Sequence, residues 1–177
     1  MKNKIEENKG NNITILNGEK VVLINDIRFK SRRNIQWNEI EDYLKGYIGM
    51  CYKILETSEE IYIAVDFPDE YSHSKDTKAV KGANEKAKAN AITVIGKLIE
   101  IANHKTEYPD YGNKHGNKAK YGWYRYDTRL GIPVYNENEV LKGYNIFSAR
   151  LLVRRDGNGK LYLYDIVRIK KETSKPL

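Results

Sequence analysis

The sequence predicts an α+β domain, an antiparallel β-meander packed on one long helix, with N-terminal hairpins and a second, shorter helix. Three observations carry this. Residues 79–103 repeat apolar side chains at helical spacing, with Ala87, Ala91, Val94, Ile95, Leu98 and Ala102 on one stripe. Three β-rich runs follow, at 121–128, 144–155 and 160–171, the last two joined by the turn signal Asp156-Gly157-Asn158-Gly159. Near the start, Asn17-Gly18 separates two further β-rich runs, and both residue types tolerate the positive φ of a tight hairpin.

Residues 1–12 are polar and mixed in charge and read as a disordered N-terminus. One domain then spans 13–171, with strands and a helix over 13–66 and the long helix plus meander over 79–171. Residues 172–177 form a tail. The shorter helix falls near 35–48, where Trp37, Ile40, Leu44, Tyr47 and Ile48 share a face. Asn38 with Glu41 is placed to cap its start, and Gly49 to stop it. A second hairpin turns near Ser58-Glu59, with Cys51 before it as a small apolar filler. Residues 67–78 read as a loop.

The long helix is rich in lysine and thin in large apolar residues in its first half, which is expected to meet solvent or a partner. Its second half anchors the core, and Gly82 and Gly96 weaken its continuity. Residues 104–120 read as a long loop. In the last hairpin a short turn at Gly157-Asn158 pairs Arg155 with Lys160, Val153 with Tyr162, Leu152 with Leu163, Leu151 with Tyr164 and Arg150 with Asp165. That register puts Phe147, Ala149, Leu151 and Val153 on a core face with Tyr162 and Tyr164.

At 177 residues the chain suits one domain, and no stretch reaches the roughly 20 apolar residues of a membrane span. One cysteine excludes an internal disulfide, and the polar N-terminus carries no secretory signal, so a cytoplasmic protein is expected. The net charge of +7 points to nucleic acid or another acidic partner, although a lysine-rich composition alone produces the same charge; RNA is expected over DNA only from the cleavage chemistry and the resemblance given below. Fourteen tyrosines against three phenylalanines suit half-wet surfaces where a ring stacks and a hydroxyl bonds.

No two of His73, His104 and His115 have the spacing of a helical metal site, so neither metal nor cofactor is expected. Phosphate-binding and serine-hydrolase motifs are absent too. Metal-free RNA cleavage needs less: the ribose 2′-hydroxyl attacks, and the protein moves protons and neutralises the phosphorane. His73, Lys81, Arg125 and Arg150 are the candidate catalytic residues. Lys75, Lys78, Lys86 and Arg154 are candidates to hold phosphates, and Tyr124 and Tyr126 to orient or stack bases. The plainer readings stand beside these: His73 as an ordinary loop residue, the lysines as a solvated face, Arg150 as the partner of Asp165, and Trp123 as core.

The order from "KANAITVIGKLIEIANH" through "YGWYRYDTRLGIPVY" to "YNIFSARLLVRRDGNGKLYLYDIVRIKKE" resembles domains of phages and conjugative elements. These belong to the barnase–EndoU–colicin–RelE-like nuclease group, in particular the large polyvalent protein-associated domain of the third type. The resemblance runs over about residues 20–171 and includes the lysine-rich lead-in from Lys75 to Lys88. It implies a helix on a curved antiparallel sheet, a metal-independent endoribonuclease and an immunity or host protein as partner. Catalytic residues vary across the group, and His73 is the nearest match to a histidine that many members carry before the helix. The alternative is a non-catalytic module that binds nucleic acid or a host protein through its basic surface. A lesser one is a phage packaging-associated protein.

Overall fold

The computed structural model describes residues 12–30, 34–172 and 175–177. The expected disordered N-terminus lies outside these except for Asn12, which opens the first strand. Strands β1 (Asn12–Leu16) and β2 (Glu19–Leu23) form the first hairpin, with Asn17 and Gly18 at φ of 53° and 79°. Helix α1 (Trp37–Leu44) continues into a 3₁₀ turn, Lys45–Tyr47, and buries Ile40, Leu44 and Tyr47. Its N-cap is Gln36, without a side-chain bond, so the Asn38–Glu41 cap does not form. Strands β3 (Cys51–Lys53) and β4 (Glu60–Tyr62) make the second hairpin, with Ser58 at φ 61° in its turn. Cys51 is exposed on β3 and not a core filler.

The molecule is α+β, but two parts of the predicted architecture are corrected. First, there is no single long helix. The expected loop at 67–78 is helical, as α2 (Phe67–His73) and α3 (Lys75–Ala79), and Ser74 caps α3 by accepting from Thr77 N at 3.1 Å. Beyond it the chain forms α4 (Gly82–Ala91), a 3₁₀ turn at Ile92–Val94 and α5 (Ile95–Glu100). The breaks have local causes. Gly82 sits at φ 62°, outside the helical region. The β-branched run Ile92-Thr93-Val94-Ile95 crowds the backbone, and Thr93 Oγ1 donates to Asn90 O at 2.7 Å, a back-bond that bends helices. The apolar stripe survives the breaks, with Ala87, Ala91, Val94, Ile95, Leu98 and Ala102 all buried.

Second, the sheet is mixed. With β5 (Asn103–Tyr108), β6 (Trp123–Tyr135), β7 (Leu141–Arg155) and β8 (Leu161–Lys171), it runs β1-β2-β6-β7-β8-β4-β3, and β5 also pairs with β6. β6, β7 and β8 form the antiparallel centre. The two N-terminal hairpins extend it at both sides through parallel contacts, Val22 and Leu23 on β6, and Ile61 and Tyr62 on β8. The last hairpin is offset by one residue from the predicted register. Asp156 N donates to Lys160 O, so Arg154 faces Tyr162 and Val153 faces Leu163. A further irregularity then sets Leu151 opposite Ile166. Leu161, Leu163, Ile166 and Ile169 are therefore the apolar core residues of β8, and Tyr162 and Tyr164 are not. The expected tail is tied down as well, since Leu177 and Tyr144 exchange backbone hydrogen bonds.

The helices cover one face of the sheet. That core holds Tyr124, Tyr126, Leu130 and Ile132 of β6, Phe147, Leu151 and Val153 of β7, and Leu98 and Ile99 of α5. On the opposite face the 3₁₀ turns at Tyr111–Asn113 and Gly116–Ala119 cover Trp123 and Tyr164, with His115 edge-on to both rings. Gly122 returns this covering segment to β6 at φ 92°, and a Cβ there would lie 2.5 Å from Tyr108 O. Gly122→Ala is expected to lower stability by about 2–4 kcal/mol through clash and left-handed strain, read as the urea midpoint.

Lys88 is an exception to the expected solvated lysine face. It is fully buried, its Nζ 2.7 Å from Asp76 Oδ2 and 2.9 Å from Asp165 Oδ1, beneath the Tyr71 ring. Tyr71 in turn donates its hydroxyl to Lys88 O. Burial raises the Asp165 carboxyl to about 6, against the opposing pull of Lys88. The predicted Arg150–Asp165 pair is absent because Asp165 belongs to this cluster and Arg150 faces Asp127.

Candidate functional site on the open sheet face

Along β6 the side chains of Trp123, Arg125, Asp127 and Arg129 alternate with the core residues and point away from the helices. The covering segment shields Trp123. Farther along, the face opens into a cleft of about 330 Å³ lined by residues that include His104, Asp127, Arg129, Ser148, Arg150 and Arg168.

His104 reaches this cleft through an irregularity in β5. Asn103 pairs with Asp127 and Thr106 with Arg125, so His104 and Lys105 together oppose the single residue Tyr126. This bulge sends the two side chains apart. Lys105 turns to the Tyr124 ring and to Glu59, at 2.9 Å. His104 adopts φ 52° and places Nδ1 3.1 Å from Asp127 Oδ2. Bulges next to functional sites commonly re-aim a side chain in this way.

A carboxylate only accepts, so the Nδ1 proton points at Asp127 and Nε2 is left for proton exchange. Glu19 Oε1, at 3.7 Å from Nε2, is too far to bond it. Arg150 Nε lies 3.5 Å from the other Asp127 oxygen. Arg129 forms the floor, bonded to Glu172 through Nε and Nη2 at 2.9 and 3.1 Å and to Leu16 O through Nη1. Arg168 is exposed, its backbone N–H donates to Asp76 Oδ1 at 3.3 Å, and its guanidinium has no ion-pair partner among the described residues. The cleft thus holds a histidine oriented by an aspartate, with two arginines available to an anion.

The residues nominated from sequence divide into groups. Arg125 and Arg150 come to the same sheet face, Arg125 opposite Leu152 and Arg150 opposite Asp127. The Arg125 guanidinium stacks 4.3 Å from the Tyr108 ring centre, and its buried Nε has no hydrogen-bond partner among the described residues. His73 lies elsewhere, at the end of α2, 2.8 Å from Glu41 Oε2. Lys75, Lys78 and Lys81 are exposed on and after α3, and Lys86 is half-buried on α4. None of these four lines the cleft.

Tyr124 and Tyr126 are core residues rather than base platforms. Tyr126 is fully buried and donates to Glu59 Oε1 at 2.8 Å, and the Tyr124 hydroxyl accepts from Arg155. Arg154 is held by Lys118 O and Asp66 over the Tyr162 ring. Sequence reasoning missed His104 and Asp127 as a pair. Their sequence separation carries no motif, and only β5–β6 pairing joins them.

A comparison of the sequence with family models found no match, and comparisons with curated proteins and with solved structures found none either. Among the described residues, no helix is long and apolar enough to cross a membrane.

Proposed function

We propose that the protein is a metal-independent endoribonuclease-like domain whose site is the His104 cleft. The observation that supports this is the bulge that holds His104 against Asp127 beside Arg150 in an open, arginine-lined cleft. In this reading His104 Nε2 takes the proton of the ribose 2′-hydroxyl. The 2′-oxygen attacks phosphorus and the bond to the 5′-oxygen breaks, with water supplying the proton to the leaving oxygen. Asp127 orients the ring, and Arg150 and Arg168 neutralise the phosphorane. The resemblance to nucleases of phages and conjugative elements, and the net charge of +7, agree with an RNA substrate.

The test is cleavage of single-stranded RNA in EDTA. Wild type is expected to cut, His104→Ala to lose the activity, and His73→Ala to keep it. Cleavage that survives His104→Ala would remove the cleft from the reading.

One observation favours a second reading, a non-catalytic nucleic-acid-binding module. Lys75, Lys78, Lys81 and Lys86 have no carboxylate partner among the described residues, and so form an unneutralised basic surface. A binder of this kind shows RNA affinity that falls steeply with salt and with removal of these lysines, without cleavage.

A further inference from the structure

We propose that Glu41, Asp69 and His73 form a binding site for a divalent transition-metal ion of the zinc class, between α1 and α2. One ligand atom from each residue lies within 4.8 Å of the other two. Asp69 and His73 are four residues apart on α2, so both project from one side of that helix. Glu41 comes from α1, which packs on α2 through Trp37 against Tyr71.

Among the described residues the charges at this point are unbalanced. Neither carboxylate has a lysine or arginine partner among them, and Glu41 meets only His73. A divalent cation offsets both negative charges while leaving the imidazole neutral, which a protonated histidine cannot do. One imidazole nitrogen with two carboxylate oxygens suits zinc, cobalt or manganese better than magnesium or calcium, which favour oxygen alone.

The His73–Glu41 pair needs little movement, while Asp69 has up to about 1.5 Å to close, since the three ligand atoms lie within 4.8 Å of one another. Tetrahedral ligands about 2.0–2.1 Å from zinc stand roughly 3.3 Å apart, and His73 Nε2 and Glu41 Oε2 are now 2.8 Å apart. Partial exposure of both side chains leaves room for water to complete the coordination. Away from the ligands, α1 and α2 also meet through Trp37 against the buried Tyr71 ring. The chain alternates buried and open positions here so that the ligands are carried on a packed frame.

This site shares no residue with the His104 cleft, so metal binding and RNA cleavage can succeed or fail separately. The experiment titrates metal-free full-length protein with Co²⁺, read by visible absorption, and then displaces it with Zn²⁺, read by calorimetry. Wild type and His104→Ala are expected to bind one equivalent. His73→Ala and Asp69→Asn, checked for folding by circular dichroism, are each expected to bind at least about tenfold more weakly. Absence of a one-to-one complex at millimolar Zn²⁺, or equal affinity in the two ligand variants, would overturn the proposal. Displacement of Co²⁺ by Mg²⁺ at concentrations similar to Zn²⁺ would overturn the metal class.

Discussion

Lys88→Met is expected to lower stability at pH 7 by about 3–5 kcal/mol, or roughly 10 °C in melting temperature for a domain of this size. The substitution keeps the volume of the side chain but strands Asp76 and Asp165, which meet the Lys88 ammonium at 2.7 and 2.9 Å. Asp165 is 2 % exposed and has no other cation at hand among the described residues.

The pH dependence separates this from simple loss of packing. With its folded value raised from 3.8 to about 6, Asp165 contributes stability that is full below the unfolded value and is lost as pH rises through 6. Two pH units correspond to about 3 kcal/mol. Glu59 and Asp110 are shifted downward, so their contributions are lost only as pH falls below the ordinary carboxylate range, opposite in direction to Asp165. Lys88→Met is therefore expected to regain part of its loss at pH 5, and Lys88→Met with Asp165→Asn to regain part of it at pH 7. Urea unfolding at the two pH values measures both. A loss that is equal at pH 5 and pH 7 would mean that lost packing, not a stranded carboxylate, sets the cost.

The second large effect is expected at His104. Removing a positioned general base typically costs 10²- to 10⁴-fold in rate. His104→Ala is therefore expected to reduce kcat/KM for RNA by about that range, with the fold unchanged, because His104 lies mostly in solvent. Asp127→Asn should lower kcat by a smaller factor, since it retains the size of the side chain but loses the carboxylate that orients the ring. Arg150→Ala should act through both kcat and KM, as a group that meets phosphate in the ground state and more strongly in the transition state. Single-turnover cleavage separates these three. A uniform loss in all three variants would point to local unfolding of the β5 bulge instead.

What could be read from the sequence follows the range of the interactions. Both N-terminal hairpins were legible because Asn17-Gly18 and the Ser58-Glu59 segment are local turn chemistry. The stripe from Ala87 to Ala102 was legible because burial follows helical period even where the helix breaks. The break itself depended on the Thr93 back-bond and the Gly82 backbone, which a periodic reading passes over. The mixed sheet was not legible, since two-residue parallel contacts of β2 on β6 and β4 on β8 leave no local signature. The one-residue offset at Asp156 moved Tyr162 and Tyr164 out of the core, and it freed Arg150 for Asp127.

Little of the candidate site was legible. Arg125 and Arg150 share one sheet face, but of the residues nominated as catalytic only Arg150 lines the cleft. His104 was hidden in what read as a long loop, and its aspartate is set opposite by strand pairing alone. Lys88 illustrates the converse. It sits between Ala87 and Ala89 in a lysine-rich segment with no large apolar residue beside it, so nothing local marks its ammonium as buried. Asp76 and Asp165, which hold it, come from α3 and β8.

The central claim is metal-free attack by the 2′-hydroxyl at the His104 cleft, and the chemistry of the product ends tests it most directly. Wild-type protein acting on end-labelled RNA in EDTA is expected to leave 2′,3′-cyclic phosphate and 5′-hydroxyl termini. A single 2′-deoxy substitution should block the cut at that position, and His104→Ala should produce no such ends. Products with 5′-phosphate termini, cutting at the 2′-deoxy position, or no cleavage by the wild type would contradict the account.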